Sequence, residues 1–477
     1  MLKPRGTQPV FIDKCVEVLT SPSTKKCVAV APVAYGKSIC IANTVARLDA
    51  PTIILQPNKE LLEQNYSKYV SYGYKASICS DSLKVKQMKK RPYALINGEY
   101  VLCDEISQVT YATIGTIISK IEEVLAIGVK YLIIDESHLN TNIDSQIRDL
   151  IRQARIKNVL GVTATPVVLH NSFEGAMLKI MSSAKKNLFS TLSHIVQIKE
   201  MVDAGYWSKI VYDINHWNSR GLKFNTTGAK YTKESMQVNY DQNNLKHKAI
   251  QAVKELRAEG RKSILVFVPT VKNANELSAA IEGSYVVHGK TDTKDRTRII
   301  EDFKNLKTDV IINVGVLTTG FDHPELDAIV LARPTESIAL YYQILGRITR
   351  IHPDKLNGRV VDLSGNVTKF GKVENLNYEY IDGYGWGLFS NEFLLTNHPL
   401  KALDRPTKTT LRKYASEKGV EVVTEHGKVK LWFGKHKGQQ LQFIDKHYLT
   451  FMLEEFDFNG AKMKSLKNSI EIHLKLK

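Results

Sequence analysis

The sequence predicts an α/β protein with two parallel sheets, each flanked by helices, and a small basic C-terminal domain. Short apolar, β-branched runs alternate twice with helical periodicity, a pattern typical of parallel sheets covered by helices. The chain of 477 residues is too long for one core, and its 43% hydrophobic content is ordinary for a globular protein. The alternation stops near residue 375, and the remainder is basic, with 16 Lys and Arg against 9 Asp and Glu from Lys401 onward.

The apolar runs place the strands. In the first half we expect strands at Cys27–Ala31, Thr52–Leu55, Tyr131–Ile134 and Val159–Thr163. In the second half we expect them at Ser263–Val268, Tyr285–His288, Asp309–Val314, Ala328–Ala332 and Arg359–Asp362. The predicted domains are therefore 1–195 and 246–375, joined by a connecting segment over 196–245 and followed by a module over 376–477.

A phosphate-binding loop follows the first strand. The segment from Ala31 to Ser38 reads A-P-V-A-Y-G-K-S and leads into a helical pattern. Such a turn aims backbone N–H groups at phosphates, Lys37 reaches the β and γ phosphates, and the Ser38 hydroxyl is a ligand for Mg²⁺. Ala31 and Ala34 stand where glycines are common in such loops.

Paired carboxylates follow a second buried strand. Asp135 and Glu136 come directly after the apolar run that ends at Ile134, so they lie at the carboxyl end of a parallel strand, where active sites of open α/β sheets are found. In this interpretation Asp135 belongs to the Mg²⁺ site, and Glu136 orients and deprotonates the attacking water. Together with the loop, the pair predicts a nucleotide hydrolase.

Composition constrains the partners and the compartment. The net charge of +17 predicts a polyanionic partner, because Lys and Arg neutralise phosphates and release counterions. Five cysteines without a C-x-x-C pair indicate reduced core thiols rather than a metal or disulfide framework. No apolar run is long enough for a membrane span, and the first residues lack the apolar core of a signal peptide, so we expect a cytoplasmic protein.

The order of the motifs over roughly residues 1 to 375 resembles the superfamily 2 helicases. That resemblance implies two RecA-like domains with ATP and Mg²⁺ as cofactors. It implies adenine contacts from Arg5 and Gln8, loop contacts from Ala34, Tyr35, Gly36, Lys37 and Ser38, and coupling through His138, Thr163 and Thr165. The implied nucleic-acid contacts are Pro57, Gln64, Thr113, Thr270, His288 and Thr318.

The second sheet carries the remaining family motifs. Thr318-Thr319-Gly320-Phe321-Asp322 resembles the motif that touches both nucleotide and bound strand, which implies nucleotide contacts from Gly320 and Asp322. The stretch from Gln343 to Arg350 matches Q-x-x-G-R-x-x-R. Arginines three apart on a helix share a face, so we expect Arg347 and Arg350 to reach the γ-phosphate, with Gln343 beside them.

Within the superfamily, the stretch from Asp362 to Gly371 is similar to the bacterial and phage RadD-like and UvsW-like DNA helicases. This similarity implies work on forked or branched DNA in replication, recombination or repair, alongside proteins such as a single-strand binding protein, in host cytoplasm if the chain is phage-encoded. An RNA helicase of the same superfamily and a non-hydrolysing DNA-binding clamp are the alternatives.

Two further segments leave their role open. Asn97-Gly98 between alternating residues predicts a tight hairpin within 84–103, preceded by lysines, which is either a strand-separating wedge or a pair of extra edge strands. The tail segment from Leu431 to Gly438 resembles a small F-G-K-x-K-G module. Its aromatic residues and lysines suit either stacking on nucleic acid or a packed core with solvated lysines.

Overall fold

The architecture comes from a computed structural model. It describes residues 3–80, 85–88, 91–96, 99–102, 106–142, 144–172, 175–183, 188–225, 230–317, 321, 323–381, 385–397, 405–412, 431, 436, 439–455 and 461–475. The chain divides into two compact units, one of Met1–Glu379 with Gly387–Arg405, the other of Tyr380–Trp386 with Pro406–Lys477. Both main sheets lie in the first unit.

The first sheet has seven parallel strands in the order β12-β1-β9-β8-β2-β7-β3. Their bounds are β1 Lys26–Val30, β2 Thr52–Leu55, β3 Ser77–Cys79, β7 Val109–Ala112, β8 Tyr131–Asp135, β9 Asn158–Thr163 and β12 Thr191–Ile195. The side chains of the inner strands β2, β8 and β9 are almost entirely buried, as expected when helices cover both faces of a parallel sheet.

The helices of this half are α1 Gln8–Leu19, α2 Lys37–Val45, α3 Lys59–Ser71, α4 Ile114–Ser119, α5 Ile121–Ile127, α6 Asp144–Gln153 and α7 Ile198–Asp203. Helix α2 starts at Lys37, directly after the phosphate-type loop, and its residues Ile41 and Val45 are buried as their spacing predicts. Asn58 caps α3 by accepting a hydrogen bond from the Leu61 N–H, so the chain turns sharply from β2 into this helix.

The second sheet has six parallel strands in the order β13-β18-β17-β14-β16-β15. Their bounds are β13 Ile210–Ile214, β14 Ile264–Phe267, β15 Tyr285–His288, β16 Val310–Val314, β17 Ala328–Leu331 and β18 Gly358–Asp362. The accompanying helices are α8 Lys233–Gln242, α9 Leu245–Ala258, α10 Val271–Ser278, α11 Thr293–Lys304, α12 Ile338–Leu345 and α13 Asn366–Phe370. The fold is therefore that of two RecA-like α/β domains, as the sequence predicts.

The prediction that 196–245 only connects the two domains is wrong in part. Residues Ile210–Ile214 form β13, which pairs with β18 as the edge strand of the second sheet. The pattern escaped notice because an edge strand is only half covered: these five residues are intermediate or exposed. The prediction of one module over 376–477 is corrected too, since Gly387–Arg405 belongs to the first compact unit.

The segment around the predicted hairpin forms its own sheet. Strand β5 (Arg91–Ile96) pairs antiparallel with β4 (Val85–Met88) and with β6 (Glu99–Leu102), with Ile96 opposite Glu99. The turn residues Asn97 and Gly98 lie outside the described residues. The strands are separate from the seven-stranded sheet, so they are not extra edge strands of it. A second antiparallel pair, β10 (Val167–Ser172) with β11 (Gly175–Ile180), follows Pro166.

The remaining elements are β19 Leu376–Ile381, β20 Gly385–Ser390, β21 Phe393–Leu394, and two tail helices, α14 Lys446–Glu455 and α15 Ala461–Lys475. The second compact unit has its own apolar cluster, made by Leu431, Leu441, Ile444, Leu449, Met452, Leu466 and Ile470. Trp432, Phe433 and the lysines of the F-G-K-x-K-G segment lie outside the described residues, so its two interpretations stay open.

The cysteines that the structure describes are buried. Cys15, Cys27, Cys40 and Cys79 are buried free thiols, as predicted, while Cys103 lies outside the described residues. In the described part of the chain, no helix is long and apolar enough to cross a membrane.

Candidate active site

The phosphate-type loop between β1 and α2 is held in a strained, open turn. Ala34 has φ +61° and Gly36 has φ +96°, both left-handed. The Ala31 N–H donates to the Thr163 carbonyl at 3.0 Å, which anchors the start of the loop to β9. A Cβ at Gly36 would lie 2.6 Å from Gln8 Nε2, so this position requires glycine, whereas Ala34 is accommodated despite its conformation.

The residues expected around adenine cluster beside this loop. The buried Gln8 side chain accepts from the Arg5 N–H at 2.8 Å and donates to the Tyr35 carbonyl at 2.5 Å. The Tyr35 and Thr7 hydroxyls are 3.1 Å apart. The Arg5 guanidinium lies 4.4 Å from the ring centroid of Tyr206. The amide of Gln8 thus ties the N-terminal segment to the loop.

The paired carboxylates face the loop. Lys37 Nζ lies 3.3 Å from Glu136 Oε1. Burial, reinforced by the charge of Glu136, raises the pKa of Asp135 to about 6. Burial also opposes ionisation of Glu136, but Lys37, His138 and Arg347 together outweigh it, and the pKa of Glu136 is lowered. Glu136 is therefore the more readily ionised of the two carboxylates, which suits a base acting on water.

A chain of contacts leads from Glu136 across to the second sheet. His138 Nδ1 lies 3.5 Å from Glu136 Oε2 and 2.8 Å from Thr163 Oγ1, which also accepts from the Thr165 N–H. Gln343 Nε2 lies 3.1 Å from His138 Nε2. Burial lowers the pKa of His138, although the charge of Glu136 opposes this shift.

The two domains meet closely at Val33 of the loop. The Val33 N–H donates to the Tyr342 hydroxyl at 3.3 Å, and Trp207 Nε1 donates to the Val33 carbonyl at 3.1 Å. A Cβ at Gly346 would lie 2.8 Å from Val33 Cβ and closer still to its Cγ2. The end of α12 can approach the loop this closely only because residue 346 has no side chain.

The two arginines lie beyond the helix on which they were expected. Helix α12 ends at Leu345, so Arg347 lies in the turn that follows it and Arg350 comes directly after that turn. The prediction that both arginines share a helix face is wrong. Both still line the same cleft of about 410 Å³ as Lys37 and Glu136. Arg347 Nη1 donates to the Phe321 carbonyl at 2.6 Å, and burial lowers its pKa to about 10, so it remains charged near neutral pH.

The residues expected to contact nucleic acid follow the carboxyl ends of strands. Pro57 follows β2, Thr113 follows β7, Thr270 follows β14, and His288 ends β15. Gln64 differs, because it lies on α3 and lines the same cleft as Lys37. Thr318, Gly320 and Asp322 lie outside the described residues.

Sequence reasoning missed two cleft-lining residues on α3. Asn65 donates to Asp135 Oδ2 at 3.0 Å and accepts from Ser38 Oγ at 3.1 Å. Lys68, one turn further, lines the cleft too, and burial together with Arg350 and Arg347 lowers its pKa to about 8. Asn65 and Lys68 share one face of α3 with Leu61 and Gln64, because these residues are spaced three or four apart. That periodicity was the signal by which the sequence could have identified them.

The donor set suits Mg²⁺. Ser38 and Asp135 supply a hydroxyl and a carboxylate oxygen, the hard ligands that Mg²⁺ takes when substrate phosphates and waters complete its octahedron. Within the described residues, no group of three or more His, Cys, Asp and Glu side chains could hold a metal ion alone. These residues therefore fit an ion that arrives with a nucleotide.

Comparisons with known proteins agree with this geometry. The DEAD/DEAH box helicase family matches residues 13–171, and the helicase conserved C-terminal domain matches residues 247–352. The yeast protein named "Putative ATP-dependent helicase IRC3" (Saccharomyces cerevisiae) is 24% identical over 383 residues, 76% of this chain and 51% of the relative. The Bacillus subtilis "Probable ATP-dependent DNA helicase RecS" is 22% identical over 336 residues, 69% of this chain and 59% of the relative.

A solved structure shares the fold. The "ATP-dependent Type ISP restriction-modification enzyme LlaBIII bound to DNA" has a TM-score of 0.54 at 14% identity, covering 76% of this chain and 28% of that one. The chain spans between half and three fifths of the length of the two curated relatives it matches. With both of its domains matched in order, the chain belongs to the superfamily 2 helicases.

Gly346→Ala should weaken nucleotide binding about tenfold, because the added carbon forces the end of α12 away from Val33, and overpacking of this kind costs about 1–3 kcal/mol. Adding Val33→Ala to the same chain removes both γ-carbons and should restore part of the affinity. Gly289→Ala is the matched control, since nothing lies within 4 Å of that position. Titration with a fluorescent ATP analogue measures each variant. Unchanged affinity for Gly346→Ala would contradict the close contact.

Proposed function

We propose that this chain is an ATP-driven DNA helicase or translocase that remodels forked or branched DNA. One observation carries the proposal. A single cleft is lined by Lys37 and Glu136 from the first domain and by Gln343, Arg347 and Arg350 from the second. Groups that bind phosphate, activate water and neutralise developing charge thus face one another across two domains that can move.

The same geometry supports a route for ATP hydrolysis. The loop N–H groups and Lys37 receive the β and γ phosphates, and the phosphate charge competes with Glu136 for Lys37. Released from that contact, Glu136 can orient the attacking water and take its proton, while Arg347 and Arg350 stabilise charge on the γ-phosphoryl group. Ser38 and Asp135 would hold Mg²⁺, and the ion would supply further neutralisation of phosphate charge.

The contacts of His138 offer a link between hydrolysis and domain movement. His138 lies within hydrogen-bonding distance of Gln343 on one side and near Glu136 on the other, so a change at the carboxylate alters a contact between the domains. Repeated closing and opening of the cleft would advance the chain along a strand that is gripped at the carboxyl ends of both sheets.

DNA is the proposed substrate for three reasons. The +17 net charge favours a polyanionic partner, the segment after β18 is similar to RadD-like and UvsW-like DNA helicases, and the matched relative RecS is named as a DNA helicase. An RNA helicase is the first alternative. A non-hydrolysing DNA clamp is the second, although such a clamp has no chemical need for both carboxylates and both arginines. A restriction translocase is the third, but the sequence contains no nuclease signature that we recognise.

The three-stranded sheet β4–β6 is the candidate wedge. Its predicted turn at Asn97-Gly98 is preceded in sequence by Lys84, Lys86, Lys89, Lys90 and Arg91. It lies in the chain between two motifs expected to contact the strand, and it forms a sheet separate from the main one. We propose that it separates base pairs ahead of the translocating strand.

Lys37→Ala should abolish ATP hydrolysis and weaken ATP binding, whereas Glu136→Gln should leave ATP binding intact and stall turnover. The difference follows because Lys37 contacts phosphate while Glu136 acts on water, and losing either group costs several kcal/mol, of the order of 3, in the transition state. Steady-state phosphate release and equilibrium ATP binding test the pair, with Lys14→Ala on the outer surface of α1 as control. Near-parental turnover by Glu136→Gln would refute its assignment as the base.

ATPase activity should be stimulated by DNA more strongly than by RNA of the same sequence and length, and binding should weaken steeply with salt. Each neutralised phosphate contributes a slope of about −0.7 in log affinity against log salt for a single strand. Competition between matched DNA and RNA oligonucleotides at several salt concentrations tests both points. Preferential stimulation by RNA would favour the RNA helicase, and a flat salt dependence would assign the basic surface another role.

Replacing residues 85–102 by a short Gly-Ser linker should spare ATPase stimulated by single-stranded DNA but depress duplex unwinding much more strongly. The seven-stranded sheet should still form, because β3 pairs directly with β7 and strands β4–β6 belong to a separate sheet. Unwinding of substrates with a 3′ tail, a 5′ tail, a fork and a four-way junction measures the effect. Equal loss of both activities would indicate a structural role, and undiminished unwinding would exclude a wedge.

A further inference from the structure

We propose that Asn65, on α3, is a positioning residue for the metal ion of the active site. It holds the Ser38 hydroxyl and the Asp135 carboxylate in the relative arrangement that Mg²⁺ requires. The inference rests on the proposed function, because it concerns the ion that accompanies ATP. Asn65 lies outside the phosphate-type loop and outside the segment Asp135-Glu136-Ser137-His138, the two parts of the first domain that carry the chemistry.

The hydrogen bonds of Asn65 divide between the two metal-site residues. Ser38 Oγ donates to Asn65 Oδ1 at 3.1 Å, and Asn65 Nδ2 donates to Asp135 Oδ2 at 3.0 Å. Asn65 Nδ2 also lies 3.0 Å from Gln56 Oε1, at the end of β2. The Asn65 side chain is 8% exposed, so water cannot easily replace these bonds. The Asn65 amide therefore accepts from Ser38 through its oxygen and donates to Asp135 through its nitrogen.

This arrangement leaves the right atoms for a cation. The Ser38 hydrogen points to Asn65, so the lone pairs of its Oγ remain available on the other side. Asp135 Oδ2 is fixed by Asn65, and Asp135 Oδ1 accepts from the Glu136 N–H at 2.9 Å, so the carboxylate cannot rotate freely. Mg²⁺ demands near-ideal octahedral geometry, and partners behind its ligands set their orientation.

A purely structural role makes a different prediction. If Asn65 only supported α3 or the phosphate loop, its loss would weaken nucleotide binding equally with and without metal. If it positions the ligands of the ion, its loss would reduce only the additional affinity that Mg²⁺ confers. The ratio of the ATP dissociation constant in EDTA to that in Mg²⁺ separates the two roles without reference to turnover.

The test uses Asn65→Ala and Asn65→Leu, the second of which keeps side-chain volume without either hydrogen bond. Asn43→Ala is the control, because Asn43 lies on α2 with Ser38 but donates to the Ile39 carbonyl within that helix. ATP affinity is measured by calorimetry in Mg²⁺ and in EDTA. Binding of Mn²⁺ in the presence of ADP, followed by electron paramagnetic resonance, gives a second readout.

We expect the EDTA-to-Mg²⁺ ratio to fall at least about tenfold in both variants, with metal-free affinity within about twofold of the parent, since loss of such partners costs 10- to 100-fold in metal affinity. Mn²⁺ binding should weaken in parallel, and Asn43→Ala should match the parent. An unchanged ratio, or equal loss in both conditions, would overturn the inference while leaving the proposed function intact. A parent protein that binds no ATP in either condition would overturn both.

Discussion

The contact between Lys37 and Glu136 is the interaction on which the site depends. Two neighbouring carboxylates stand in an enclosed cleft, where an unpaired buried charge is strongly unfavourable. Lys37 stabilises the charge of Glu136, and the ionised Glu136 in turn raises the pKa of Asp135. In the proposed function, a nucleotide phosphate competes with Glu136 for Lys37.

Val33 connects this chemistry to the arrangement of the domains. Its backbone N–H contacts Tyr342 of the second domain, its carbonyl contacts Trp207 of the connecting segment, and its side chain fills the space left by Gly346. Because Val33 belongs to the phosphate-type loop, a nucleotide that shifts the loop also alters contacts with two other parts of the chain. The loop is thus a structural junction as well as a binding element.

Sequence patterns predicted the inner strands and the loop well because both depend on local chemistry. Runs such as Thr52–Leu55 are buried on both faces and therefore read as continuous apolar segments. The edge strand Ile210–Ile214 was missed because its side chains are only partly covered. Asn65 was missed for another reason: an amide on a helix acquires its role only from Ser38 and Asp135, which come from distant parts of the chain. The end of α12 before Arg347 and Arg350 was missed as well, because residue spacing alone does not encode where a packed helix stops.

The chain passes from the first sheet to the second between two edge strands, since β12, the last strand of the first sheet, and β13, the first strand of the second, both lie at an edge. With a hinge between β12 and β13, each sheet could rotate about its edge strand. Strand β15 stands five strand spacings from β13, about 24 Å at about 4.8 Å per spacing. A rotation of about 10° would then move the His288 end by about 4 Å, while the strands beside the hinge hardly move. Small displacements near such a hinge would be amplified at the far edge of the sheet.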